Sequence, residues 1–133
     1  MSNPKSPHLW VRIIVPDMGA IGPGKIDLLR SIEKTQSISA AARHLDMSYR
    51  RAWMLLDETR RIVGADVIST HAGGADRGGA KLTEAGRRLI AGYERICAVA
   101  AAAAKGELES LSFAVPDGAP ALVSRKRRKV KAS

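Results

Sequence analysis

The chain has 133 residues and a net charge of +9, with 45% of its residues hydrophobic and an isoelectric point near 10.3. That length predicts one domain with some chain to spare, and that charge favours a polyanionic partner. A single cysteine, Cys97, excludes an intrachain disulfide and a thiolate metal cluster.

With two tryptophans, two tyrosines and one phenylalanine, the core must be aliphatic and rich in alanine, which points to helices lying close together. Six of the 22 basic residues fall in Arg125–Lys131, leaving 16 against 13 acidic residues, or +3, for the rest. The basicity is therefore in part a property of the tail. No N-terminal stretch resembles a signal peptide and no apolar run reaches spanning length, which predicts a cytoplasmic protein with no membrane contact.

Residues 1–7 are polar and predict a loose end. Leu9, Val11, Ile13 and Val15 alternate with Trp10, Arg12 and Ile14, the pattern of one half-buried strand over Leu9–Val15. Asp17 to Gly24, with three glycines and Pro23, reads as a turn, and Pro23-Gly24 is a credible helix start. Ile26, Leu28, Leu29 and Ile32 then form the apolar stripe of a first helix ending near Thr35.

Ser37 to Val63 carries the contact chemistry. Ser37 can cap a short helix holding Ile38, Ala41, Ala42 and Leu45 on one side. His44 to Met47 make a turn, with Asp46 at the left-handed position. Ser48 can cap a second helix whose inward positions are Ala52, Leu55, Thr59 and Ile62. Small residues where the helices cross, and apolar residues bracketing the turn, are the pattern of a DNA-binding helix-turn-helix. The second helix opens Ser48-Tyr49-Arg50-Arg51, placing two cations, a phenol and a hydroxyl at the end that points toward bases and phosphates. An ordinary helical hairpin with a charged solvent face is the alternative.

Gly64 can end that helix in a left-handed cap. Val67–His71 and Ala80–Leu82 read as two short strands around a loop with four glycines in eight positions, a β-wing. Arg77 and Lys81 are positioned to reach a DNA backbone or minor groove. A phosphate-loop reading fails because no Gly-Lys-Ser/Thr follows. Thr83 can cap a last helix from Glu84 to about Leu111, roughly 40 Å at 1.5 Å per residue, with Leu89, Tyr93, Ile96 and Ala100 at helical spacing. Its small-residue face suits a twin helix, which predicts a homodimer. Residues 112–133 form a basic tail of disordered composition. Its Arg125, Lys126, Arg127, Arg128 and Lys129 are expected to touch phosphate.

Four segments together, Ile21-Gly22-Pro23-Gly24-Lys25, Ser37-Ile38-Ser39-Ala40-Ala41-Ala42, Ser48-Tyr49-Arg50-Arg51-Ala52-Trp53 and Gly78-Gly79-Ala80-Lys81-Leu82-Thr83-Glu84-Ala85-Gly86, resemble the N-terminal domain of the ModE family. These are bacterial molybdate-responsive transcription regulators, distantly similar to the DNA-binding domain of LysR-type regulators. The resemblance covers residues 8 to 105 and implies a mainly α fold with a small β-wing, a winged helix-turn-helix with a long C-terminal dimerisation helix. It also implies a homodimer joined through the first strand and last helix. By position, Ser39, Ser48, Tyr49, Arg50 and Arg51 face DNA and Arg77 sits on the wing, while Trp53 packs rather than touches bases. Family members continue into two molybdate-binding β-barrel domains. Residues 113–133 hold no strand pattern for one, so molybdenum describes at most the genes regulated.

The first expectation is a sequence-specific transcription factor binding double-stranded DNA at a palindrome, with no cofactor of its own. A non-specific architectural nucleic-acid-binding protein is the second. A DNA-binding subunit that borrows sensing from an effector-sensing partner is the third. An enzyme is not expected: His8, His44 and His71 have no carboxylate or cysteine at ligand or triad spacing.

Overall fold

The computed structural model describes residues 6–71 and 79–114. Its elements are β1 (Ile13–Val15), β2 (Gly19–Ile21), α1 (Pro23–Thr35), α2 (Ile38–His44), α3 (Tyr49–Val63), β3 (Ile68–His71), β4 (Gly79–Leu82) and α4 (Glu84–Ser110). Residues 10–99 form one compact unit. Arg77 and the tail residues Arg125, Lys126, Arg127, Arg128 and Lys129 lie outside the described residues.

The alternating N-terminal segment is not one strand of seven residues. Its ladder covers β1 alone, and the return strand β2 lies inside the stretch expected to be a turn. The two pair antiparallel, Ile13 opposite Ile21 and Val15 opposite Gly19. The reversal is tighter than its glycine content suggests. Met18 N–H donates to the Val15 carbonyl at 3.0 Å, with Asp17 at φ 65° and Gly19 at φ 138°. Asp17 thus takes a left-handed position in the turn, and Gly19-Ala20-Ile21 return as the second strand.

Gly22 is the N-cap of α1, with Pro23 in its first turn, where the missing N–H costs nothing. Ile26, Leu28, Leu29 and Ile32 are all within 1% of complete burial. They contribute to two apolar clusters. The larger unites Leu28, Leu29 and Ile32 with Ala41, Ala42 and Ala52 of the crossing helices and with Val67, Ala80 and Leu82 of the wing strands. The smaller centres on Ile21, Ile26 and Tyr93, with Val11, Ile13, Ile62, Leu89 and Cys97 against it.

β3 and β4 pair antiparallel with Ile68 opposite Leu82 and Ser69 opposite Lys81. Two bonds anchor this hairpin to the helices. Gln36 closes α1 in the left-handed conformation, and its carbonyl accepts the Ala80 N–H at 3.1 Å. At the other end Thr83 N–H donates to the Val67 carbonyl at 3.0 Å, and its hydroxyl donates to the Asp66 carbonyl at 2.6 Å.

Thr83 Oγ1 also accepts the Gly86 N–H at 3.1 Å, capping α4 as the sequence predicts. The buried stripe of α4 is Gly86, Ile90 and Tyr93, continued by half-buried Cys97. This differs from the expected stripe: Ile90 replaces Ile96, which is 45% exposed. The partners fix the phase, because Val67 and Leu82 receive the helix at Gly86 and Val11 receives it at Tyr93. Counting on from Tyr93, Cys97 stays nearer that line than Ile96. Within residues 100–114, Lys105 pairs with Glu109 one turn on, at 2.6 Å. Among the described residues no helix is long and apolar enough to cross a membrane.

Candidate nucleic-acid interface

The α2–turn–α3 unit is held by its own backbone and two serine caps. Ser37 Oγ accepts the Ala40 N–H at 3.0 Å and Ser48 Oγ accepts the Arg51 N–H at 3.0 Å. Between them Leu45 N–H reaches the Ala41 carbonyl at 3.0 Å and Met47 N–H the Ala42 carbonyl at 2.9 Å. Asp46 sits between at φ 58°, the left-handed residue the sequence predicts. Both neighbours, Leu45 and Met47, pack on the core, so the turn cannot slide.

α3 buries Ala52, Leu55, Leu56 and Thr59, and Thr59 satisfies its hydroxyl on the Leu55 carbonyl at 2.7 Å. Ile62, expected inward, packs half-buried on the smaller cluster. Gly64 ends the helix left-handed at φ 82°, as expected.

The outer side of α3 is divided by charge. In its C-terminal half Asp57 holds Arg60 at 2.7 Å and Arg61 at 3.4 Å. The Arg60 hydrogen bond, with the charges of Arg61 and Arg60, keeps the Asp57 carboxyl below its usual range. Glu58 holds Lys25 at 3.1 Å. At the N-terminal end the cations are not neutralised: among the described residues, no carboxylate lies within ion-pair distance of Arg43, Arg50 or Arg51. All three are exposed, and Arg50 and Arg51 lie in the first turn of α3, where the helix terminus favours anions.

The structure therefore brings Ser48, Tyr49, Arg50 and Arg51 to one helix end. The Ser48 hydroxyl accepts in its cap, which leaves its proton to donate outward. Ser39 is exposed on the first turn of α2. Lys81 is exposed on β4 opposite Ser69, at a shallow cleft shared with Glu33, Gln36, Leu82 and Arg87. Arg43, not among the contacts expected from sequence, is exposed in the last turn of α2. Trp53, expected to pack, lines the groove between α3 and β3 with Leu56, Ile68 and Thr70. Trp53 is 39% exposed and meets the Tyr49 ring edge-on, centroids 6.3 Å apart at 79°. Among the described residues no group of three or more His, Cys, Asp or Glu could hold a metal ion.

Three helices with a tight corner, a two-stranded wing and a long last helix make this a winged helix-turn-helix fold. A solved structure of the DNA complex of the CbnR DNA-binding domain shares it, with a TM-score of 0.52 at 17% identity, covering 65% of this chain and 94% of that one. No family model matches the chain.

In sequence the chain is homologous to the ModE and Mop proteins. It is 40% identical over 85 residues to the molybdenum-pterin-binding protein MopB of Rhodobacter capsulatus, covering 63% of this chain and 32% of that one. It is 34% identical over 77 residues to the DNA-binding transcriptional dual regulator ModE of Escherichia coli K12, covering 58% and 29%. The chain thus spans about a third of the length of these curated relatives. The ModE proteins of Yersinia pestis and Escherichia coli are named as transcriptional regulators.

Proposed function

We propose that this chain binds double-stranded DNA in a sequence-specific way and regulates transcription, as a homodimer on a palindromic site. The observation that carries the reading is the N-terminal end of α3, where Arg50 and Arg51 stand exposed with no acidic partner among the described residues. Arginine in that place suits guanine edges and phosphate. Ser39, Ser48 and Tyr49 supply smaller contacts, while Arg77, Lys81 and the basic tail add phosphate contacts and a steep salt dependence.

The dimer reading is supported by apolar side chains left in solvent: Trp10 and Ile14 at the N-terminal hairpin, and Ile96 and Val99 on α4. Two recognition helices reading a palindrome must lie about one DNA turn apart, roughly 34–36 Å, which a second copy can provide. The printed names of the relatives, among them molybdenum transport protein ModE, support molybdenum-related genes as targets.

The test is selection from a random duplex pool with purified protein at near-physiological salt. A palindromic consensus is the expected result. Binding without enrichment, lost uniformly as salt rises, would instead identify an architectural protein that coats nucleic acid.

A further inference from the structure

Four of the five aromatic side chains are in solvent, and Tyr93 alone is buried. For a chain so poor in aromatics this is a costly use of its largest apolar groups. Two of the four, Tyr49 and Trp53, stand one helical turn apart on α3 and touch each other edge to face. They form an exposed apolar ledge at the start of the helix. Beside them are Arg50 and Arg51, with no carboxylate partner among the described residues.

An exposed apolar patch bordered by unpaired cations fits a surface that is itself part apolar and part anionic. In the major groove of B-DNA the acidic component is the phosphate backbone, and the apolar component is the 5-methyl group of thymine. We propose that Tyr49 and Trp53 form a thymine-methyl reading surface, with the Tyr49 ring as the contact and Trp53 as the positioning residue that fixes its orientation. This deepens the DNA-reading function proposed above and rests on it.

Positioning follows from geometry. Tyr49 is the first residue of α3, so nothing precedes it in the helix to confine its ring. Trp53, four residues on, supplies a wall at 6.3 Å and 79°. Trp53 is itself confined, because it lines the groove between α3 and β3 with Leu56, Ile68 and Thr70.

The test uses the full chain and the selected duplex, replacing each thymine singly by deoxyuridine, which removes the methyl and changes no hydrogen-bonding group. Loss of one buried methyl predicts roughly 4-fold weaker binding at one thymine in each half-site. Tyr49→Ala abolishes that thymine-to-uracil ratio, and so does Trp53→Ala, while Trp53→Phe preserves it by restoring a ring. Arg50→Ala weakens both duplexes alike and leaves the ratio intact. Sequence-selective binding with no uracil sensitivity at any position overturns the methyl reading and leaves the regulator standing. A ratio that survives Tyr49→Ala also overturns it. Absence of any sequence preference removes the function on which it rests.

Discussion

The Tyr93 hydroxyl donates to the Val11 carbonyl at 2.7 Å across 82 residues of sequence. It joins the last helix to the extended segment that leads into β1. Val11 lies before the ladder, so its carbonyl has no strand partner, and Tyr93 supplies what a longer strand would have. Burial, followed by the contact with Cys97, pushes the Tyr93 hydroxyl up to about 12.

Tyr93→Phe should lower stability by about 1 kcal/mol through loss of this bond. The pH dependence has a definite sign. The folded state holds the proton more tightly than the unfolded chain, so the contribution is full below pH 10 and is lost as pH rises from 10 to about 12. Urea unfolding at pH 8 and pH 11 should show a smaller drop for Tyr93→Phe than for the parent chain. Equal drops would mean that this phenol does not ionise differently on unfolding.

Gly86 is required by close approach. A Cβ there would overlap the Val67 carbonyl oxygen, which is already occupied by the Thr83 N–H. Gly86→Ala should therefore cost about 3 kcal/mol, at the upper end for overpacking. Gly92 in the same helix would meet nothing nearer than an Arg95 nitrogen at 3.9 Å. Gly92→Ala should raise stability by about 0.5–1 kcal/mol through helix propensity. Thermal melts of the two variants should move in opposite directions.

Ser48 has a structural duty and a proposed contact, and these can be separated. Ser48→Ala should lose about 1 kcal/mol of stability with its cap. Ser48→Asp keeps a capping oxygen and favours the helix dipole, so its stability should match the parent. On DNA the same carboxylate meets phosphate, and affinity should fall about tenfold or more. Parent-like DNA affinity in Ser48→Asp would place this helix end away from the duplex.

Burying Ile96 and Val99 against a second copy predicts that Ile96→Asp with Val99→Asp gives a folded monomer. Sedimentation equilibrium and circular dichroism would check both halves of that expectation. A dimer persisting in this variant would move the interface elsewhere.

What could be read from sequence is what is decided within a few residues. In their expected roles Ser37, Ser48, Thr83, Asp46 and Gly64 act within four positions of themselves, and all five adopt those roles. What was missed is decided at long range. β2 forms because Asp17 accepts the left-handed turn and Ile21 finds Ile26 and Tyr93. Ile90 rather than Ile96 faces inward because Val67 and Val11 set the rotation of α4 from two separate parts of the chain. In the candidate interface the cations were legible from their position after a cap. The Tyr49–Trp53 ring contact follows from helical spacing, but Trp53's exposure depends on how much of it β3 covers.

The most direct measurement is the affinity of the parent chain, Arg50→Ala and Arg51→Ala for the selected duplex and for a scrambled duplex at one salt concentration. If α3 reads sequence, at least one substitution should cost about 1–3 kcal/mol on the selected duplex and much less on the scrambled one. Equal losses on both duplexes, or no loss on either, would contradict a recognition role for this helix.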